Sequence, residues 1–383
     1  MDEAKGTIVY IGGFEMPDKN AAANRVLNNA KAFAALGYNV VFCGVDHNIS
    51  ENQKQPVRFS CFESWPSKYP SSTSEWIKEQ MSFKHIEYVL SQYTDIKYVI
   101  GYNMHALPLK NLERWSKKRQ IKVLIDATEW YPNTFSIRPG KFVRWLDTNL
   151  VMRVFQKKAD GVIAISSLLS NYYQGCIEKT VIVPPLVDIS EDKWHQESVT
   201  QSGCVEFTYS GIAGNGKGVV KDKIDIVIKA MARIDSNMKY HFSVFGMTKD
   251  ECSIMFPGID DAIQKLGEKI NFYGKVSHSD SIKSLYESDY CIFLRNKNRQ
   301  NMAGFPTKFA ECVTSGIGVV VNDISDINKY FPLKNSILLD DINEQVVAEA
   351  IENCVRNGKV RHTISDTFDY HNYVSLFEEY LEK

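Results

Sequence analysis

The residues with the clearest chemical potential lie in one short segment of the second half of the chain. Pro306 suits the first turn of a helix, where no backbone N–H is needed. Lys308 then lies at a helix start, where unpaired N–H groups and the helix dipole attract phosphate. Arg295 and Arg299, upstream, add donors suited to phosphate. Glu311 follows one turn later and can accept both hydroxyls of a ribose, so the pattern predicts a site for a nucleoside diphosphate, in particular a nucleotide sugar.

The run AGFPTKFAE, residues 303–311, carries a family resemblance. With the arginine upstream, it resembles the donor-binding helix of retaining, family 4-type glycosyltransferases of the GT-B fold, and a bacterial subgroup within them. The resemblance implies transfer of a sugar from a nucleotide diphosphate donor to a hydroxyl acceptor, with retention of anomeric configuration. Glu311 matches the second of two glutamates that frame this site in the family, and Ala303 replaces the first, which approaches the donor sugar there. The residues of this run that we assign to donor binding are Gly304, Phe305, Pro306, Thr307, Lys308 and Glu311.

Length and composition bound the class of protein. A chain of 383 residues exceeds one typical core, so two domains are expected. Hydrophobic residues make up 44%, which is too many for a disordered protein. A formal net charge of −1 argues against a global field for nucleic acid. Eight scattered cysteines without a CxxC pair, and no signal peptide or membrane-spanning run, predict a cytoplasmic protein.

Short apolar runs alternate with helical segments along most of the chain, and this alternation is typical of a parallel, doubly wound α/β sheet. Helices are predicted over 21–36 and 106–118, and a polar stretch over 188–203 reads as a linker. The predicted strands cover residues 7–11, 38–45, 97–101, 122–126, 161–165, 181–183, 207–210, 241–245, 270–273, 290–294 and 317–321.

Two halves of similar architecture predict the GT-B fold, two Rossmann-like domains facing a cleft. We expect residues 1–187 to form an acceptor-binding domain and 204–365 a domain that binds the nucleotide sugar. The family resemblance implies that a final helix, within 366–383, crosses back to the first domain.

The loop SGIAGNGKGVVKDKID, residues 210–225, follows the first strand of the second half. Its glycines, Gly211 among them, permit close backbone approach to an anion. Lys217 and Lys221 are both candidates for the donor diphosphate; Lys221 is preferred because KDKIDIVIKA resembles the family's helix start. The resemblance also places the base against the backbone of Val276 and Ser277.

One candidate for donor binding, Gly13, and three candidates for catalysis follow strands of the first half. Gly13 ends the first of these strands and lets the backbone approach a sugar diphosphate. Where related enzymes often carry a histidine that contacts the donor sugar, this chain has Thr128 beside Glu129, and a carboxylate there can stabilise positive charge or accept a proton. His105 can contact the sugar or the acceptor, although a lone histidine after a strand is more often structural. The predicted catalytic residues are Thr128, Glu129, His105, Arg295 and Lys308.

Metal and nicotinamide chemistry are disfavoured. The chain has no DxD triplet and no HExxH pattern, so cations and a helix start are expected to neutralise the leaving group without a metal ion. The fingerprint GxGxxG is absent, which argues against a nicotinamide cofactor. No cofactor is therefore expected besides the nucleotide sugar donor.

The acceptor and the cellular setting are less defined. The basic helix predicted over 141–158 could lie on the inner face of an anionic membrane and serve a lipid-linked or glycan acceptor, but a helix packed on the sheet with a solvated face is the favoured interpretation. Polysaccharide or glycoconjugate biosynthesis is the expected role. Two alternatives stay open: a nucleotide-sugar epimerase of the same fold, and a catalytically silent nucleotide-sugar-binding protein.

Overall fold

The first half of the chain forms a parallel sheet from short runs of buried apolar residues. The computed structural model describes residues 4–131, 135, 139–197, 203–211, 213–214 and 220–382. The strands of this half are β1 Thr7–Gly12, β2 Asn39–Cys43, β3 Val45–Asp46, β4 Val57–Phe59, β5 Phe62–Ser64, β6 Ser67–Lys68, β7 Ile96–Tyr102, β8 Lys122–Ala127, β9 Gly161–Ala164 and β10 Thr180–Ile182. Its helices are α1 Ala21–Ala35, α2 Thr73–Met81, α3 Lys84–Leu90, α4 Ala106–Lys117, α5 Pro139–Leu150 and α6 Ser167–Gln174.

Within the described residues, eight of these strands form one sheet in the order β10-β9-β8-β7-β1-β2-β5-β4, and β3 pairs with β6. The strands pair in parallel except for β4 and β5, which are antiparallel. The chain order reverses between β1 and β7, and ligands of such sheets bind outside the carboxyl ends of the strands at the point of reversal. Gly13 and Asn103 directly follow β1 and β7.

The second half repeats this plan in a sheet that is parallel throughout. Its strands are β11 Val205–Ser210, β12 Tyr240–Phe245, β13 Ile270–Gly274, β14 Tyr290–Phe293, β15 Gly318–Asn322 and β16 Ile337–Leu339. Its helices are α7 Ile224–Met231, α8 Lys249–Met255, α9 Asp260–Leu266, α10 His278–Tyr286, α11 Arg299–Ala303, α12 Thr307–Ser315 and α13 Glu344–Asn357. The order β13-β12-β11-β14-β15-β16 is that of a Rossmann-like sheet, with its reversal between β11 and β14.

The chain divides into two compact units, which we call unit 1 and unit 2. Unit 1 comprises Met1–Val187 and Asp369–Lys383, and unit 2 comprises Asp188–Phe368. The C-terminal helix α14, Val374–Glu382, therefore belongs to unit 1. Its Phe377 ring lies 4.5 Å from that of Phe33 on α1.

Several predicted elements differ from the structure in their bounds. The predicted strand over 38–45 ends at Cys43, because Gly44 lies so close to Phe14 that a Cβ would approach the Phe14 carbonyl oxygen to 2.5 Å. The predicted helix over 141–158 is α-helical from Pro139 to Leu150 and continues as a π-helix over Val151–Phe155 and a 3-10 turn over Gln156–Lys158. None of the described helices combines the length and apolarity that crossing a bilayer requires.

Candidate functional site

A buried carboxylate organises the cations at the reversal point of unit 2. Asp222 is 1% exposed and lies just before α7, while Arg295 follows β14 and Lys308 lies in the first turn of α12. Arg295 Nε donates to Asp222 Oδ1 at 2.5 Å, and Lys308 Nζ donates to Oδ2 at 2.6 Å. The hydroxyl of Tyr209 donates to the same Oδ2 at 2.8 Å. The topology thus brings two predicted donor-binding residues to one counter-ion.

The charges of this cluster determine its protonation. Burial by itself would raise the pKa of the Asp222 carboxyl, but the Lys308 ammonium and the Arg295 guanidinium outweigh burial and hold that pKa well below its usual value. Burial, followed by the charge of Asp222, raises the pKa of Tyr209 well above its usual value. The cluster therefore holds one negative and two positive charges at neutral pH, with Tyr209 as a neutral donor.

Backbone contacts fix the position of Arg295. Asn322, at the end of β15, accepts from the Arg295 backbone N–H and donates to its carbonyl oxygen, each at 2.9 Å. An antiparallel bridge joins Asp222 to Arg295, and the Lys223 N–H donates to the Leu294 carbonyl oxygen at 2.7 Å. The ion pair between Arg295 and Asp222 therefore connects two backbone segments that are already paired.

Gly211 permits a close approach, and in the structure the group that approaches it is the Lys308 ammonium. Gly211 has φ +150°, and a Cβ there would lie 2.7 Å from Lys308 Nζ. The adjacent Gly246 has φ +99°, and a Cβ on it would lie 2.2 Å from the Gly211 carbonyl oxygen. The Lys308 ammonium also lies 4.1 Å from the centre of the Tyr209 ring, a distance at which a cation and an aromatic face attract.

The start of α12 differs by one residue from the prediction. Pro306 precedes the helix as its N-cap, with φ −70° and ψ 111°, and Thr307 is the first helical residue. No side chain caps this end; the Phe309 N–H donates to the Pro306 carbonyl oxygen at 2.9 Å, and among the described residues the N–H groups of Thr307 and Lys308 before it have no hydrogen-bond acceptor. Phe305 is buried, and its ring lies 5.9 Å from that of Phe309. The helix ends at Gly316, in the left-handed region at φ +74°.

Glu311 has a partner that the sequence did not indicate. His278 Nε2 lies 3.0 Å from Glu311 Oε1, and the two side chains are 35% and 16% exposed. Ser277 caps α10 by accepting from the Asp280 N–H, and Val276, half-buried, precedes it. Glu311, which is predicted to bind the ribose, therefore contacts the start of α10. Val276 and Ser277, which are predicted to contact the base, directly precede the same helix.

Other predicted donor residues have different surroundings. Arg299 is exposed and is the first residue of α11, and Gly304 directly follows the end of that helix. Lys221 is also exposed, and its backbone N–H donates to the Ala213 carbonyl oxygen at 2.7 Å. Lys217 lies outside the described residues. Sequence reasoning missed Asp222 because an aspartate among lysines at a helix start ordinarily indicates solvated charge.

Unit 1 places its predicted residues at the ends of β1, β7 and β8. Gly13 is exposed, and a Cβ on it would meet nothing within 4 Å. Thr128 is 5% exposed, and Glu129 is exposed next to it. The preceding Asp126 is fully buried and accepts from Arg25 Nη2 at 2.7 Å, which fixes this end of β8.

His105 has a carboxylate partner. Its Nδ1 lies 2.8 Å from Asp147 Oδ2, and the Ala106 N–H donates to Asp147 Oδ1 at 2.7 Å. Asp147 thus binds both the imidazole and the first N–H of α4. Nε2 is therefore the ring nitrogen of His105 without a hydrogen-bond partner among the described residues.

Comparison with known proteins supports the fold and a class of activity. Residues 211–357, less than half of the chain, match the family model described as glycosyl transferases group 1. No curated protein matches the chain. Among solved structures, a glycosyltransferase from Rickettsia africae is similar, with a TM-score of 0.66, 15% identity, and coverage of 100% of this chain and 99% of that one.

Two further structures are similar over 98% of this chain. Sucrose-phosphate synthase from Thermosynechococcus elongatus has a TM-score of 0.63, 13% identity and 98% of its own chain covered. Anabaena HepE in complex with UDP-glucose has a TM-score of 0.62, 14% identity and 99% of its chain covered. These similarities confirm the predicted fold class, GT-B with two Rossmann-like units. Fold and domain match together support a glycosyltransferase of the GT-B fold.

Proposed function

We propose that this protein transfers a sugar from a nucleotide diphosphate sugar to a hydroxyl acceptor, with retention of anomeric configuration. The observation that carries the proposal is the buried cluster of Asp222, Arg295 and Lys308 at the reversal point of the unit 2 sheet. Ligands of such sheets bind at this place, and two cations beside an uncapped helix start suit a diphosphate.

The charge balance of the cluster favours an anion. Asp222 compensates one of the two cations, so the cluster keeps one net positive charge. Arg295 donates to Asp222 through Nε alone, and among the described residues its terminal nitrogens have no hydrogen-bond partner. Those nitrogens, the remaining N–H bonds of Lys308 and the first N–H groups of α12 are the donors available to phosphate oxygens.

These donors would act on the leaving group. In the proposed reaction the bond between the anomeric carbon and a diphosphate oxygen breaks, and the acceptor oxygen bonds to that carbon. Negative charge grows on the diphosphate as the bond breaks, so donors already held in place stabilise the transition state more than the ground state. Asp222 fixes both cations before the ligand arrives, and is therefore a positioning residue.

The remaining assignments complete the donor site. Glu311 would accept the ribose hydroxyls, with His278 holding its carboxylate, and the backbone at Val276 and Ser277 would contact the base. On unit 1, Glu129 would accept the proton of the acceptor hydroxyl or stabilise positive charge on the sugar. Gly13, Thr128 and His105 are proposed sugar or acceptor contacts.

A panel of nucleotide sugars tests the function. Ligands that bind the folded state raise its melting temperature, so UDP, GDP, ADP and their sugar conjugates are screened by thermal stabilisation. The best donor is then incubated with and without glycan acceptors. Donor-dependent glycosylation of an acceptor supports transfer. An epimerised donor in the absence of acceptor, or binding without turnover or slow hydrolysis, would contradict it.

The proposal includes a cellular role in polysaccharide or glycoconjugate assembly. One of the similar structures, Anabaena HepE, is a complex with UDP-glucose, which supports a nucleotide sugar as donor here. Peripheral contact with a membrane would place the enzyme beside a lipid-linked acceptor. Helix α5 supports this contact through exposed Phe142 and Leu146, with exposed Lys141 and Arg144.

Replacing Glu311 by alanine is expected to remove selectivity for ribose. The affinity for a ribonucleoside diphosphate should fall roughly tenfold, about 1.4 kcal/mol, because a charged hydrogen-bond acceptor is lost. The affinity for the deoxyribose analogue should change little. Calorimetric titration of both ligands measures the ratio of the two affinities, with Glu287→Ala, at a 48% exposed position directly after α10, as control. Equal losses for both ligands would argue against a ribose contact.

Chelation is expected to leave turnover unchanged. Arg295, Lys308 and the start of α12 supply the positive charge that a divalent ion supplies in other transferases. Initial rates are measured with excess EDTA and after buffer exchange into metal-free solution, against the untreated enzyme. A rate that collapses and returns with added Mg²⁺ or Mn²⁺ would show that a metal is required.

A further inference from the structure

Unit 1 contains a cavity that is lined by Gly13 and His105, proposed above as sugar or acceptor contacts, and by further residues with no assigned role. Its volume is about 330 Å³, at the lower end of the range of about 300–1,000 Å³ for small-molecule sites. It lies at the carboxyl ends of β1, β2 and β7, where Gly13, Gly44 and Asn103 line it, and residues of α2 and α4 form its walls. A ligand of the size of one sugar ring suits this volume.

The described lining of the cavity has no side chain that is suited to binding phosphate as lysine and arginine are. Among the described residues that line it, none is lysine or arginine. His85 lines it, but burial lowers the pKa of this imidazole, and its Nε2 lies 3.0 Å from the Trp65 carbonyl oxygen. The lining is mostly apolar, with rings from Tyr69 and Trp76. An anionic ligand, such as a lipid phosphate, would lose its hydration here without gaining a lysine or arginine partner.

A carboxyl group in this cavity has no hydrogen-bond partner among the described residues. Glu79, on α2, lines the cavity and is half-buried. Burial raises the pKa of its carboxyl, and the nearby His105 partly offsets the effect. Burial and then the charge of Glu79 raise the pKa of the Cys43 thiol to about 12, so Glu79 also lies near the end of β2. A hydroxyl donor would satisfy this carboxyl group.

His105 supplies a second hydrogen-bonding group beside it. Asp147 holds Nδ1 at 2.8 Å, so Nε2 is the ring nitrogen without a hydrogen-bond partner among the described residues. The Trp76 ring packs edge to face with the imidazole, at 6.0 Å and 83°. The cavity thus combines two hydrogen-bonding side chains with an aromatic wall, and this combination suits a ring that carries hydroxyls at its edge and CH groups on its face.

We propose that this cavity binds an uncharged sugar ring of the acceptor, packed against Trp76 and hydrogen-bonded through hydroxyls to Glu79 and His105. The inference rests on the proposed transfer function and deepens it by naming the acceptor class, a neutral glycoside. It also makes Trp76 and Glu79 determinants of acceptor specificity.

Ligand-observed NMR on the full-length chain tests the inference without any donor. Methyl glycosides of glucose, galactose, mannose and N-acetylglucosamine are the neutral probes, and glycerol 3-phosphate and inorganic phosphate are the anionic ones. At least one methyl glycoside should show saturation transfer and a measurable Kd. Trp76→Leu and Glu79→Ala should each weaken that Kd at least tenfold, and Glu79→Gln should recover part of the loss.

Controls separate this inference from the donor site and from misfolding. Lys78→Ala, at an exposed position on the same helix, should leave the Kd of the glycoside unchanged. Unaltered melting temperatures, together with unaltered binding of nucleoside diphosphate where the native protein binds one, establish that each variant is folded. The inference is overturned if no neutral glycoside binds, if Trp76 and Glu79 variants bind it as the native protein does, or if phosphate probes bind in this cavity. Failure of nucleotide binding alone would overturn the proposed function instead.

Discussion

Asp222→Asn is expected to lower the free energy of unfolding of unit 2 by about 3–5 kcal/mol, the usual cost of removing one partner from a buried ion pair. The carboxylate is 1% exposed and accepts from Arg295 and Lys308 at 2.5 and 2.6 Å. The asparagine keeps the shape of the side chain but leaves two buried cations beside each other. The change in the free energy of unfolding therefore measures the loss of the negative charge and not a change in packing.

Urea unfolding followed by circular dichroism measures this loss, with the two units fitted as separate transitions. Asp323→Asn is the matched control, since Asp323 is 34% exposed and its oxygen lies 3.8 Å from Lys297 Nζ. Such an exposed ion pair contributes about 0–1 kcal/mol to the free energy of unfolding. If the two substitutions destabilise the protein equally, Asp222 does not anchor the cluster.

The stability that Asp222→Asn removes is expected to depend on pH. The folded-state pKa of Asp222 is lowered, so its stabilising effect is complete above the unfolded-state pKa of about 4 and is lost as the pH falls through the folded-state value. The stability difference between native protein and Asp222→Asn should be constant from pH 7 to about pH 5 and shrink below about pH 4. A difference that instead shrinks between pH 5 and pH 7 would assign the effect to another group.

Lys308→Ala is expected to weaken nucleoside diphosphate binding by about 2–3 kcal/mol, roughly 30- to 150-fold in Kd, because a nearly buried charged donor is lost. The side chain is 12% exposed, and its ammonium lies beside Gly211 and over the Tyr209 ring. Binding of the corresponding nucleoside should change much less, since it carries no phosphate. Turnover should fall further, because the same donor would stabilise the departing diphosphate.

Calorimetric titration with nucleoside diphosphate and with nucleoside measures the loss of affinity for each ligand. Lys308→Met keeps the apolar stem against Tyr209 and should show the same selective loss, which separates the charge from the packing. Lys283→Ala, at a 62% exposed position on α10, should leave both affinities unchanged. Equal losses for nucleoside and nucleoside diphosphate would contradict a diphosphate contact.

The order of buried strands and helices could be read from local patterns. Apolar runs of four to eight residues, bounded by glycine or polar residues, predict parallel strands because such strands are buried on both faces. The strands β1, β7, β8, β11, β12 and β14 all lie within two residues of their predicted bounds. Patterns failed where tertiary packing intervened, as at Gly44, where contact with Phe14 ends β2 early.

The side-chain clusters could not be read in this way. Asp222 pairs with residues 73 and 86 positions later in the chain, and His105 pairs with Asp147 42 positions later. No local pattern records such distances, because the strand order of each sheet decides which loops meet. The sequence of a polar loop does not show which of its lysines and aspartates will be buried, and only the folded structure shows that Asp222 is.

The sequence by itself determined the elements and the chemistry available to them: two series of parallel strands, and Pro306, Lys308 and Glu311 at a helix start that suits phosphate. Only the tertiary structure decided the partners, since burial makes Asp222 the counter-ion of Arg295 and Lys308 and encloses Glu79 in a cavity whose described lining has no lysine or arginine. Helix and strand patterns are properties of neighbouring residues, whereas the charge and hydration of a site depend on segments that meet only in the folded chain.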